Sequence, residues 1–138
     1  MASAKKLESD YKAEMVKAIN DAGGYATRVE DQYRVGLLDL IFSMPSTGIV
    51  LAEAKRFTGL CFEPRARQFI EMCRVDKGGG LALLIGVKNE VHYLHGTNLL
   101  DPQRGRVYTK DCIVQRDGET FPELFQRWYK LGSYQNGK

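Results

Sequence analysis

The stretch GLLDLIFSMPSTGIVLAEAK, from Gly36 to Lys55, constrains the fold more than any other part of the chain. Two apolar runs of strand length flank MPSTG, in which Pro45 and Gly48 supply turn chemistry. The pattern predicts strands over residues 37 to 43 and 49 to 55, paired antiparallel about the turn. Runs this apolar are covered on both faces, so the hairpin belongs inside a sheet layered by helices. Three charges interrupt it: Asp39, Glu53 and Lys55. Alternation puts Glu53 and Lys55 on one face of their strand and Ala52 and Ala54 on the other. In antiparallel register, Asp39 near the start of one strand and Glu53 near the end of the next come side by side.

Two adjacent carboxylates among apolar strands repel each other unless one is protonated or a cation bridges them. Oxygen ligands select a hard ion. Mg2+ is commonly held by one or two carboxylates and keeps waters, leaving room for a phosphate oxygen and a nucleophilic water. Lys55 would then orient the nucleophile or stabilise charge building on phosphorus. This reading is metal-assisted phosphodiester hydrolysis. The alternative is that Glu53 and Lys55 form an ion pair at a sheet edge, since D…ExK is a short pattern that chance supplies often.

The flanking segments predict what covers the hairpin. LESDYKAEMVKAINDAGG spaces Leu7, Tyr11, Met15, Ala18, Ile19 and Ala22 at helical intervals and stops at Gly23-Gly24. YATRV, residues 25 to 29, reads as a short strand, and EDQYR as a polar link. RFTGLCFE is irregular, and Pro64 then stands where the first turn of a helix PRARQFIEMCRVDK would place it, ahead of Gly78-Gly79-Gly80. LALLIGV and VHYLHG form a strand pair about Lys88-Asn89-Glu90. From Thr97 to Glu119 the signal is weak. TFPELFQRWYKLG predicts a last helix capped by Thr120, with Leu124, Phe125, Trp128 and Leu131 on one face and Gly132 past its end. The expected architecture is one α/β domain with a mixed central sheet flanked by helices.

A chain of 138 residues with 43% hydrophobic content is long enough for one core of ordinary size. Its 20 Lys and Arg against 17 Asp and Glu give a net charge of +3, which permits a polyanionic partner without arguing for one. Cys61, Cys73 and Cys112 are odd in number and lack CxxC spacing, so neither a disulfide framework nor a thiolate zinc site is expected. MASAKKLESD has no apolar h-region and no run reaches membrane-spanning length, so the expectation is a cytoplasmic protein with no membrane partner.

Two more polar residues fit the hairpin's charges. Glu8 lies on the buried edge of the first helix through its spacing to Tyr11 and Met15, where a carboxylate can reach a metal; its alternative role is to favour the helix N-terminus electrostatically. Gln68 shares a side of the second helix with Met72, which aims its amide inward; its alternative is a surface position.

In order and spacing these residues resemble the PD-(D/E)XK nuclease superfamily, and more closely its virus-type replication-repair nuclease (VRR-NUC) branch. The resemblance runs from Glu8 through Gly23-Gly24 to GLLD ending at Asp39, EAK from Glu53 to Lys55, and Gln68 within PRARQF. It covers roughly residues 7 to 95, leaving 96 to 138 as a C-terminal extension. Leu38 stands where the family usually has proline, a residue that shapes the strand entry and binds no metal. The resemblance implies a restriction-endonuclease-like fold, Asp39, Glu53 and the Ala54 carbonyl as ligands of Mg2+ (Mn2+ substituting), Lys55 as the catalytic lysine, and Glu8 and Gln68 as supporting residues. It also implies a structure-selective endonuclease acting on branched DNA such as Holliday junctions or flaps, working as a homodimer; Trp128 and Tyr129, as exposed aromatics, are candidates for the dimer interface.

Around the hairpin, Arg56, Arg65, Arg67, Arg74 and Lys77 concentrate positive charge, and Arg104, Arg106 and Lys110 form a second cluster. Both are candidates for phosphate contact, which positions DNA without reading its sequence; the alternative is solvated basic helix faces. His92 and His95 fall on opposite faces of a strand without a third ligand, so structural roles are expected. Gly78 to Gly80 lacks the lysine and Ser/Thr of a phosphate-binding loop. The rival functions are a sequence-specific nicking or homing nuclease or an exonuclease on the same core, a catalytically silent DNA-binding module, and, with least support, a small-molecule-binding domain.

Overall fold

The computed structural model describes residues 6–29, 38–96 and 106–132. Gly36 and Leu37 of GLLD, the EDQYR link and Arg104 lie outside the described residues. The chain runs α1 (Glu8–Asp21), β1 (Tyr25–Arg28), β2 (Leu40–Ser43), β3 (Val50–Arg56), β4 (Cys61–Phe62), α2 (Ala66–Lys77), β5 (Leu81–Lys88), β6 (Val91–Gly96), β7 (Val107–Tyr108), β8 (Ile113–Val114) and α3 (Phe121–Leu131).

The expected hairpin is the start of the sheet. β1 pairs antiparallel with β2, and β2 with β3, in the register Leu40↔Ala52 and Phe42↔Val50. Helix α2 then carries the chain over to β5, which lies parallel to β3, and β6 and β8 follow antiparallel. The sheet order is β1-β2-β3-β5-β6-β8, beside a small ribbon of β4 and β7. This is the mixed sheet that the apolar runs imply, with a parallel pair at its centre needing a helical crossover.

Side-chain alternation sorts the core into two layers. Val50, Ala52 and Ala54 of β3 and Leu83, Ile85 and Val87 of β5 meet Tyr11, Met15 and Ile19 of α1 and Phe121, Leu124, Phe125 and Trp128 of α3. On the opposite face, Ala82 and Leu84 meet Met72 of α2, Leu38, and Phe62 and Val107 of the small ribbon. The result is a sheet between α1 with α3 on one side and α2 on the other.

Several local expectations need correction. β2 begins at Leu40, so Asp39 immediately precedes the strand instead of lying in it; its carbonyl still accepts the Val29 N–H at 2.7 Å, while its own N–H donates to the Glu53 carboxylate. Pro64 stands before Arg65, the N-cap of α2, and not in the first turn, because Gln68 Oε1 accepts the Arg65 N–H and sets the helix start there. Leu131 is 60% exposed: α3 closes at Gly132 in a left-handed turn (φ 64°), and its last residue passes the edge of the core. Trp128, considered above as an exposed interface aromatic, is fully buried against Phe125, while Tyr129 is half-buried. The weak segment before α3 contains β7, a short 3-10 turn over Thr109–Asp111, and β8. The expected β5–β6 turn is present, with Asn89 and Glu90 both at left-handed φ of 50° and 66°.

Candidate active site

Asp39 and Glu53 meet where β2 stops covering β3. The last ladder pair is Leu40↔Ala52, and one residue further on the Asp39 N–H donates to Glu53 Oε1 at 3.2 Å. Glu53 has 0% exposure, whereas the Asp39 side chain is about one-third exposed. The strand register predicted from the turn therefore does bring the two carboxylates together.

Between them lies a residue that sequence reasoning missed. Lys12 of α1, 6% exposed, donates through Nζ to Asp39 Oδ2 and to Glu53 Oε2, the latter at 3.5 Å. Lys55 Nζ stands 3.9 Å from the same Glu53 oxygen. By alternation Glu53 points to the α2 face of the sheet, while α1 packs on the other face. Lys12 reaches it through the gap beyond the end of β2, a span that needs a long side chain. The sequence did carry a signal: Lys12 sits among Tyr11, Met15 and Ile19, the buried stripe of α1.

The electrostatics follow from this packing. Burial pushes the Glu53 carboxyl up and the Asp39 charge adds to it; the Lys12 and Lys55 ammoniums and the Asp39 N–H offset part, leaving a pKa of about 7. Burial pulls Lys12 down, but the hydrogen bond to Asp39 and the charges of Glu53, Asp39 and Glu8 outweigh it, so its pKa is raised and it stays an ammonium.

The supporting residues divide. Glu8, half-buried at the start of α1, accepts the Arg56 N–H through Oε2 at 3.3 Å and lies close enough to Lys12 for its charge to be felt. Gln68 is buried beside Met72, which removes its surface alternative. Its carbonyl oxygen caps its own helix at the Arg65 N–H, 3.1 Å away.

A cleft of about 250 Å3 opens beside Lys55, lined also by Arg56, Phe57, Cys61, Phe62, Glu63 and Arg106. Arg106 thus joins the first basic cluster from a distant part of the chain. Arg65, Arg67, Arg74 and Lys77 are exposed but stand outside this cleft, and Arg74 is 3.8 Å from Glu71. The two histidines have structural partners: His92 Nδ1 meets Gln115 Oε1 at 2.9 Å and His95 Nδ1 meets the Asp111 carbonyl at 3.3 Å.

The donor set suits a hard cation. Two carboxylates already share one ammonium, which stands in for a cation bridging them. Backbone groups alternate between strand edges, and Phe57 N–H donates to Val87 of β5 while Arg56 N–H turns to Glu8. Ala54, two residues before Arg56, therefore directs its carbonyl to the edge that β2 leaves open, the side of Asp39. Among the described residues no group of three His, Cys, Asp or Glu side chains forms a metal cage, so the oxygens this end of the sheet offers a cation are the two carboxylates and the Ala54 carbonyl.

No protein-family model matches the sequence, and no curated protein matches it. Among solved structures, the fold is similar to that of Archaeoglobus fulgidus Hjc, a Holliday junction resolvase from an archaeal hyperthermophile. The TM-score is 0.59 at 13% sequence identity, and the match covers 72% of this chain and 87% of that one. The fold is restriction-endonuclease-like. In this restriction-endonuclease-like frame the described helices are all too short or too polar to cross a membrane.

Proposed function

We propose that this protein is a divalent-metal-dependent deoxyribonuclease that cuts branched DNA, as expected of a PD-(D/E)XK nuclease. One observation carries the reading: Asp39 and Glu53 converge at the open end of β2, with Lys55 facing the same buried oxygen and a basic cleft alongside. The fold likeness to a Holliday junction resolvase supports branched DNA as substrate. Placement in the VRR-NUC branch is supported by the residue order Glu8, Gly23-Gly24, Asp39, Glu53-Ala54-Lys55, Gln68.

Asp39, Glu53 and the Ala54 carbonyl would hold Mg2+ or Mn2+, which when bound supplies Lewis-acid activation of water and charge neutralisation at the phosphate. The chain's own groups do the rest. Lys55, largely buried, directs its ammonium toward the cleft and is placed to hold the attacking water or a non-bridging phosphate oxygen. Arg56 and Arg106 supply the positive walls that neighbouring phosphates would meet, and Arg65, Arg67, Arg74 and Lys77 extend positive charge along α2. Glu8 ties the N-terminus of α1 to the end of β3, keeping that edge in register with the acids. Gln68 acts at one remove by fixing the start of α2. Four-way junctions present two strands to cut, so a homodimer with paired sites is part of the proposal; the buried Trp128 is not its contact.

A second reading, a silent DNA-binding module, draws on Lys12, whose ammonium already compensates both carboxylates. One experiment separates the two. Purified protein is incubated with end-labelled junction, flap, single-stranded and duplex DNA in Mg2+ or EDTA, alongside Glu53→Ala and Lys55→Ala. The nuclease reading expects Mg2+-dependent cleavage, strongest on the branched substrates, lost in both variants while DNA binding persists. Binding without cleavage by the wild type would establish the silent module instead.

A further inference from the structure

We propose that Lys12 is a built-in counter-cation, holding Asp39 and Glu53 together in the metal-free protein and displaced toward Glu8 when a divalent metal enters. The inference rests on the metal-dependent reading above and assigns a role to a residue outside the D…ExK pattern. Two carboxylates that face each other, one of them fully buried, cannot both stay charged without a compensating cation. In the structure that cation comes from α1: the Lys12 ammonium touches one oxygen of each acid. A divalent cation held by Asp39 and Glu53 would compete with the ammonium for the same pair of carboxylates.

The displaced ammonium has a destination. Glu8 lies one helical turn back along α1, at the i, i+4 spacing that lets side chains meet, and its charge already acts on Lys12. Its carboxylate is partly exposed and, among the described residues, is hydrogen-bonded by the Arg56 N–H at 3.3 Å, so it has acceptor capacity left. A short rotation of the lysine stem thus exchanges two carboxylates for a third while leaving the α1 backbone in place. Lys12 is a positioning residue in this scheme: it keeps the acids aligned before metal arrives and sets how much metal is needed to occupy them.

The test uses the full chain without DNA. Lys12→Met keeps the stem and removes the charge. In EDTA its melting temperature should fall by roughly 5 °C or more, since a buried acid loses its partner. MgCl2 titrated by calorimetry should bind Lys12→Met roughly tenfold more tightly than wild type, as the competing cation is gone, and should restore much of the lost stability. A lysine that merely packs the helix would lower the melting temperature without tightening metal binding. Should Lys12→Met fail to fold in EDTA, the double variant Lys12→Met with Glu53→Gln removes both charges and should fold, with a stability well above that expected from adding the two single changes. Unchanged or weaker Mg2+ affinity in Lys12→Met, or strict additivity in the double variant, overturns the proposal. Junction cleavage by the wild type is scored separately: cleavage with unaltered Mg2+ affinity in Lys12→Met removes the role of Lys12 alone, whereas a wild type and Lys12→Met that both bind no Mg2+ remove the metal-dependent reading with it.

Discussion

Replacing Glu53 by glutamine should stabilise the metal-free protein while destroying its proposed activity. The side chain is fully buried and its pKa rises from an ordinary 4.5 to about 7. Between those values the folded protein keeps a proton that the unfolded chain has released, so stability falls as the pH climbs through that window. At roughly 1.4 kcal/mol per pKa unit the full loss is about 3 kcal/mol, and coupling to Lys12 makes about 2 kcal/mol a fair expectation for the gain on neutralisation. Glutamine retains the acceptor oxygen for the Asp39 N–H, but its N–H2 takes the place of the oxygen that faces the Lys12 and Lys55 ammoniums, which is a further reason the gain falls short of the full value. Urea unfolding of both proteins in EDTA from about pH 5 to pH 8 measures the difference. His92, whose pKa burial pulls down, contributes a slope of opposite sign, but it does so in both proteins and cancels. The variant should match wild type near pH 5 and exceed it at pH 8, and Mg2+ should stabilise wild type alone. A variant less stable than wild type at pH 8, or one with the same pH slope, would refute the claim that the buried acid is held at a cost to the fold.

Two further outcomes test the packing that frames the site. A Cβ at Gly86 of β5 would lie 2.6 Å from Phe62 Cε1 and 2.7 Å from Phe57 Cε1, two rings already packed with centroids 4.7 Å apart, so Gly86→Ala should cost about 1–3 kcal/mol in urea unfolding; wild-type stability would show that the rings yield freely. Arg127 grips Glu119 through two bonds of 2.8 Å and holds its carboxyl down near 2, so this pair stabilises the fold above the ordinary carboxylate range and loses that contribution as the pH falls from 4.5 toward 2. Arg127→Ala should therefore lose about 2 kcal/mol at neutral pH, with the gap to wild type narrowing in acid; a gap of constant size down to about pH 2 would deny the ion pair its role.

The elements that were legible in the sequence are those whose period or cap is written into it. The β2–β3 hairpin follows from Pro45, Gly48 and strict alternation, which is why Asp39 and Glu53 could be paired before any coordinates. The three helices follow from their 3.6-residue stripes, and α3 also from Thr120, which accepts the Glu123 N–H as a cap should. β4, β7 and β8 are two residues each, too short for a period to show; the β4–β7 ribbon pairs residues over forty apart, and β8 joins the edge of the main sheet. Arg106 reaches the cleft beside Lys55 through that ribbon, so its place could not be read from its neighbours.

Lys12 shows where the method of reading faces ends. Its position on the buried stripe of α1 was visible, yet a helical wheel treats a lysine there either as a misfit or as a stem lying along the core. Neither description contains the fact that decides its role, which is that β2 ends at Leu40 and leaves the rim of β3 uncovered beside Ala54. At that end the Asp39 N–H bonds to the Glu53 carboxylate while the Asp39 carbonyl accepts the Val29 N–H. The acids therefore meet at the place where α1 delivers their counter-charge. Without Lys12, Glu53 would be buried with only the Lys55 ammonium beside it, at 3.9 Å. Lys12 is what compensates two converging acids within the fold.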